Sequence, residues 1–230
     1  MTYPISLVVG STGFVGNKVL NILQKLEGHV FSLSRKRIEH STNNIEELII
    51  NFDELLESYD LPNVNHVYLC LGHELNGLNL LYMNEELRKS FYKVDYQYQI
   101  AVAEKAIKSG AESISFISAI GADSNSSNYY FKIKGDVEEK IKGLGYKSVS
   151  FFQPGHISNR IKWQRNIQKP RIDVFASDIA SIFLDPFMIK GFNKYKSISV
   201  EKLSKSIVDK TIQELEGINY YQYNDFTSLE

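Results

Sequence analysis

The chain contains one cysteine, Cys70, in 230 residues. That excludes an internal disulfide and any multi-cysteine metal site, and the sequence leads us to expect no metal. Neither charge is in surplus, with 26 Lys and Arg against 27 Asp and Glu. A nucleic-acid partner would need a basic excess gathered on one face, so none is expected. Long apolar runs are missing too. The first, from Ile5, breaks at Gly10, too short for a membrane span or a signal-peptide core. These shortages point to a cytoplasmic protein with no membrane partner. No repeat, low-complexity tract or composition shift divides the chain, so residues 1–230 are expected to form a single domain.

What is present is a hydrophobic share of 43%, ordinary for a globular chain, arranged in two alternating periods. Ile5–Gly10 reads as a strand, and Val15, Val19, Ile22, Leu23 and Leu26 follow at helical spacing. Further strands are expected at His29–Arg35, Glu47–Phe52 and His66–Gly72. A long helix is expected from about Asn84 to Lys108, stopped by Ser109 and Gly110. A strand at Ser113–Ile120, a helix at Tyr129–Leu144 and a strand at Val149–Gln153 come next, ahead of Pro154-Gly155. The last third reads as a short strand near Lys196–Ser199, a helix from Val200 to about Glu214, and an edge strand at Tyr220–Tyr223. Strands alternating with helices predict an α/β fold of Rossmann type. Its sheet would be doubly wound and mostly parallel, with helices on both faces and a cleft at the strands' C-terminal ends. The C-terminal part, about residues 155–230, is expected to form the substrate side.

Between the first strand and the first helix stands Gly10-Ser11-Thr12-Gly13-Phe14-Val15-Gly16. The spacing is G-x-x-G-x-x-G rather than the commoner G-x-G-x-x-G. Gly10 suits a sharp turn, Gly13 a close approach of backbone to pyrophosphate, and Gly16 tight packing of helix on strand. Phosphate would rest on the helix N-terminus, where free N–H groups and the helix dipole favour an anion. An acid about 20 residues past such a loop usually holds the ribose 2′-OH of NAD. Here Ser32-Leu33-Ser34-Arg35-Lys36 offers none. Arg35 is either the partner of a 2′-phosphate or a surface arginine, and the cofactor expected is NADP(H), with NAD second. Asp53 is a candidate acceptor for the adenine amino group, or else a helix N-cap. Leu71 and Gly72 end the fourth strand, where Gly72 would let the cofactor come close. His73 beside them faces either the nicotinamide or solvent.

Tyr130 and Lys134 form Y-x-x-x-K, so both lie on one face of the expected helix, and Ser118 ends the strand before it. A phenol releases its proton near ~10 in water, and a neighbouring ammonium favours phenolate. Tyr130 would exchange a proton as hydride moves to or from nicotinamide. Lys134 would hold the ribose and tune the phenol, and Ser118 would donate to a substrate carbonyl.

These residues, with Phe91-Tyr92-Lys93-Val94-Asp95-Tyr96, the stretch from Phe116 to Ser127, Lys134-Gly135-Asp136-Val137-Glu138 and Pro154-Gly155, resemble the atypical branch of the short-chain dehydrogenase/reductases. Within it the chain is similar to the NAD(P)H-binding family of the human Tat-interacting oxidoreductase, and more distantly to the NmrA-like group. The similarity runs from about Leu7 to Ile157 and more loosely through Ser199–Ile212. It implies NADPH binding more strongly than turnover. Two positions depart from the pattern: Gln153 stands where relatives carry arginine, and Asp95 where the wider superfamily has its tetrad asparagine.

Two functions follow. One is an NADP-dependent oxidoreductase acting on a small carbonyl or alcohol. The other is a non-catalytic, NADPH-sensing binding protein, which would have no need of an intact Ser118, Tyr130 and Lys134. Substrate and oligomeric state are not readable. His156 and Trp163 are either pocket or packing residues, and Cys70 reads as core rather than nucleophile.

Overall fold

The apolar runs become short strands. These are β1 (Ile5–Val9), β2 (His29–Ser34), β3 (Ile45–Ile49), β4 (His66–Leu69), β5 (Ser113–Ile117) and β6 (Ser148–Phe152). They are followed by β7 (Ile157–Ser158), β8 (Ile198–Ser199) and β9 (Gly217–Tyr221). The computed structural model describes residues 4–158 and 195–227, apart from 39, 41, 76–78 and 81. Among the described residues the helices are α1 (Phe14–Leu23), α2 (Glu85–Tyr92), α3 (Gln99–Lys108), α4 (Tyr129–Lys142), α5 (Val200–Ile212) and α6 (Tyr223–Thr227).

Seven strands pair in the order β3-β2-β1-β4-β5-β6-β9, every pairing parallel, while β7 and β8 pair with each other. All residues of β4 and β6 are buried, as a strand covered on both faces requires. Leu7, Val9, Val67, Leu69, Ile114 and Phe116 share one core with Val102, Ala103 and Ala106 of α3 and Val137 and Ile141 of α4. Val8, Tyr68 and Phe152 share the other with Val19, Leu20 and Leu23 of α1 and Leu203, Ile207 and Val208 of α5. The expected doubly wound Rossmann sheet is therefore observed, with a helical layer on each face. Strand order reverses between β1 and β4, which opens a crevice at their C-terminal ends.

Several boundaries differ from expectation, each for a local reason. β3 ends at Ile49 rather than Phe52 because Asn51 and Glu54 close a capping box. Phe52–Leu56 is consequently a turn of 3₁₀ helix. The single helix expected from Asn84 to Lys108 starts and stops where expected, with Asn84 as N-cap and Gly110 at φ +95 just past the end. Its middle, Lys93–Tyr98, is however wound as a π-helix. β4 ends at Leu69 and β5 at Ile117, so Cys70 to Gly72 and Ser118 to Ile120 lie beyond the strands. The edge strand begins earlier, at Gly217, and gives way to α6 at Tyr223. In the last third, α5 and β9 extend the helical layer and the sheet. The rest of the expected substrate side, 159–194 with Trp163, lies outside the described residues.

Candidate functional site

Gly10 leaves β1 with φ +79, and its N–H donates to the Leu33 carbonyl at 3.0 Å. A Cβ there would stand 2.9 Å from the Leu71 Cα, so the ends of β1 and β4 touch because residue 10 has no side chain. A Cβ on Gly16 would stand 2.3 Å from the Gly10 carbonyl oxygen, which is the tight helix-on-strand packing its spacing predicts. Gly13 is the N-cap of α1 and supplies no side-chain cap, so the first N–H groups of the helix stay open at the crevice. Thr12 and Phe14 are exposed. Ser11 and Val15 turn inward: Ser11 is fully buried, and its Oγ accepts from Ser32 Oγ at 2.9 Å.

Arg35 follows the last residue of β2. It is exposed, its guanidinium lies 6.0 Å from the Phe52 ring centre, and it makes no ion pair among the described residues. Asp53 is not the N-cap that was its alternative role: Asn51 fills that place and accepts from the Asp53 N–H at 3.2 Å. The Asp53 carboxylate instead accepts from the Tyr98 hydroxyl at 2.7 Å and pairs with the Lys93 ammonium at 2.6 Å. Hydrogen bonds from Lys93 and then Tyr98 hold that carboxyl below the usual carboxylate range.

Lys93 and Tyr98 bracket the π-helical segment, a geometry frequent at functional sites. At its centre Asp95 is almost fully buried, and its Oδ1 accepts from Lys134 Nζ at 2.9 Å. The second oxygen of Asp95 accepts from the His73 N–H at 2.6 Å. Gln99 donates to the Leu71 carbonyl at 2.8 Å. One helical stretch thus touches β3's end through Asp53, β4's end through Leu71 and His73, and α4 through Lys134. Gly72 is open: among the described residues a Cβ there would meet only Asp95 Oδ1, at 3.8 Å.

Asn128 caps α4 by accepting from the N–H groups of Tyr130 and Phe131, which fixes where Tyr130 enters the helix. The Tyr130 ring packs 5.7 Å from that of Phe91. Burial pushes its phenol above the ordinary value; Lys134 opposes the shift and Asp95 adds to it. Lys134 lowers the phenol as expected, but burial outweighs it and Asp95 adds to burial, so the net direction is upward. Burial alone would lower Lys134, but Asp95, Tyr130 and Glu138 together outweigh it and the net direction is upward.

Ser118 is buried at 3% exposure, and its Oγ has no close hydrogen-bond partner among the described residues. It lies alongside Glu138, one turn beyond Lys134 on α4, whose carboxyl burial pushes up. Gln153 Nε2 donates to Glu138 at 3.0 Å and Gln222 Nε2 to Gln153 at 3.0 Å. A neutral amide at Gln153 thus satisfies Glu138. A polar cleft of about 350 Å³ opens beside this network near Asn125, Glu139 and Lys142. A Cβ on Gly135 would stand 2.3 Å from the Ser124 nitrogen, so this glycine lets the loop after β5 lie across α4.

His73 hydrogen-bonds Ser90 Oγ at 2.6 Å, and His156 hydrogen-bonds Ser197 Oγ at 3.2 Å near the β7–β8 pair. Burial pushes the Cys70 thiol up to about 12, which suits core and not a nucleophile. The Asp95–Lys134 pair, Lys93, Tyr98, Glu138 and Gln153 were missed as a connected set. The available signal was Asp95 itself, an acid standing where the wider superfamily has its tetrad asparagine.

No family model matches the chain. It is 28% identical to the rat protein HTATIP2 over 64% of its own length and 60% of the relative's. To Eremothecium gossypii FMP52, named mitochondrial, it is 30% identical over 65% of each chain. It therefore spans less than two thirds of either relative. In fold it resembles human epimerase family protein SDR39U1, solved with NADPH, at TM-score 0.64, 15% identity, and coverage of 94% of this chain and 72% of that one. It also resembles MoeE5, solved with UDP-glucose and NAD, at TM-score 0.65, 12% identity, and coverage of 98% and 80%. A parallel sheet with a glycine loop at its switch point defines the Rossmann class. In sequence the chain is similar to HTATIP2 and FMP52, and it shares that Rossmann fold with structures solved with NADPH or NAD.

Proposed function

We propose that the chain is an NADP-dependent oxidoreductase in which Tyr130 gives or takes the proton as a small carbonyl or alcohol is interconverted. The observation that carries this reading is the placement of the uncapped α1 N-terminus, open Gly72 and the Tyr130–Lys134 pair at one end of the sheet. Those features fit a dinucleotide: glycine-lined backbone and unsatisfied N–H groups for pyrophosphate, and room beside β4. Bound nicotinamide would supply the hydride. Residues 10–16, Leu71 and Gly72 would hold it, Asp53 would meet the adenine, and Arg35 would meet a 2′-phosphate. Fold neighbours hold NADPH or NAD, and Arg35, exposed and without an ion pair among the described residues, favours the phosphorylated form here.

A second reading, an NADPH-sensing protein without turnover, draws support from Ser118, which is buried beside Glu138 rather than open to the crevice. A panel of aldehydes, ketones and quinones with NADPH separates the two. Turnover that falls about 10²-fold or more in Tyr130→Phe, with NADPH affinity unchanged, supports the enzyme. Tight NADPH binding with no turnover on any member supports the sensor. Among the described residues no helix is long and apolar enough to cross a membrane. A cytoplasmic location stands as a proposal beside the mitochondrial one carried by the FMP52 names, and subcellular fractionation decides between them.

A further inference from the structure

The ammonium of Lys134 has three protons to place. One goes to Asp95 Oδ1 at 2.9 Å and one, at 3.4 Å, to the Ile117 carbonyl; the ring of Phe116 lies 5.0 Å away. Both members of the ion pair are close to fully buried, with side-chain exposures of 6% for Lys134 and 3% for Asp95. Each oxygen of Asp95 faces a donor, Lys134 Nζ on one side and the His73 N–H on the other. A carboxylate answers both, whereas an asparagine amide offers one acceptor and would set its NH₂ against the second donor. The acid is thus built into this position, and it lies within the electrostatic reach of Tyr130.

We propose that Asp95 is a positioning residue that holds Lys134 in place and offsets its charge at Tyr130, so that the proton chemistry of Tyr130 is set by the pair rather than by the lysine. The proposal rests on the reading of Tyr130 as proton donor. The charged groups that act on the phenol are Lys134 of α4 and Asp95 of the π-helical segment; Glu138 acts on Lys134, and the titratable ring of His73, in the loop after β4, lies 6.5 Å from Phe91, which packs on Tyr130. Opposed charges at short range in a buried site largely cancel at a third group. Among the described residues one Lys134 proton is left over, so the lysine can serve either the ribose or the phenol at a given moment.

The test is a pH titration of protein carrying carbon-13 tyrosine, followed by NMR, with the Tyr130 resonance identified by its loss in Tyr130→Phe. Asp95→Asn should lower the Tyr130 midpoint by roughly one pH unit or more, and Lys134→Met should raise it. The double variant, Asp95→Asn with Lys134→Met, removes both charges at near-constant volume and should titrate close to the wild type. It also serves where Asp95→Asn alone fails to fold, because a neutral pair strands no buried charge. A midpoint that does not move in Asp95→Asn, while Lys134→Met raises it, overturns the role of Asp95 and leaves the proposed function standing. A double variant titrating far from the wild type overturns it too. A midpoint indifferent to Lys134→Met breaks the Tyr130–Lys134 coupling on which the proposed function itself depends.

Discussion

Arg35 lies past the end of β2 with its guanidinium exposed and no ion pair among the described residues, so removing it takes little from the fold. If it reads a 2′-phosphate, a charge-assisted contact of about 1.5–3 kcal/mol disappears with it. Arg35→Ala should therefore weaken NADPH binding by roughly ten- to a hundredfold while NADH binding barely changes, as calorimetry with both cofactors would record. Equal losses for the two would remove Arg35 from the phosphate. Gly72 allows a complementary experiment. Among the described residues its added Cβ meets only Asp95 Oδ1, at an ordinary 3.8 Å, so Gly72→Ala should melt within a degree or so of the wild type. A cofactor lying against that backbone has no room for the methyl group, and NADPH affinity should drop by about tenfold or more. Unchanged affinity would show that nothing approaches residue 72.

Among the elements, α4 matters most, because it carries Tyr130, Lys134 and Glu138 and is held against the loop after β5 at Gly135. In Gly135→Ala the new Cβ would begin 2.3 Å from the Ser124 nitrogen, a backbone atom that can move only with its loop. Overpacking of this kind costs about 1–3 kcal/mol. The denaturant midpoint should fall by that free energy divided by the m-value, the m-value itself unchanged, with loss of any turnover. Gly143→Ala, whose Cβ would meet the Lys140 carbonyl oxygen at 3.5 Å, should do neither. What the sequence allowed at this scale followed from period and punctuation. Gly10, Gly16 and Gly110 stand where a turn, a close approach or a helix stop was expected, and the two-faced core follows from runs such as Ile5–Val9. The π-helical winding of Lys93–Tyr98 was not legible, since its hydrophobic spacing reads as ordinary helix. The wider turn carries tertiary contacts the spacing does not announce, Asp95 to Lys134 and Tyr98 to Asp53. For the same reason the chemistry of Tyr130 was half visible: the Y-x-x-x-K spacing named the pair, but the third charge comes from a residue 39 positions away from Lys134.

For the whole molecule, the alkaline limb of stability is set by groups the fold holds protonated. Burial pushes the Cys70 thiol from its ordinary 9.0 up to about 12. It also moves the phenols of Tyr68 and Tyr146 upward, and Lys134 is raised in the same direction. Above pH 9 the unfolded chain gives up its thiol proton while the native chain still keeps it, so unfolding releases a proton and stability falls as pH rises. The contribution is whole below the ordinary thiol value and is lost progressively towards the native one. The tyrosines and Lys134 join from about pH 10, where free phenols and amines titrate. Cys70 therefore dominates the first part of the decline. Urea midpoints measured from about pH 8 to 11 should fall with pH, and Cys70→Ala should flatten the fall between about pH 9 and 10 while leaving the steeper part above it. An unaltered slope in Cys70→Ala would mean that the thiol between β4 and the glycine loop meets water in the native state, and that the contact holding Gly16 against the end of β1 is looser than its geometry indicates.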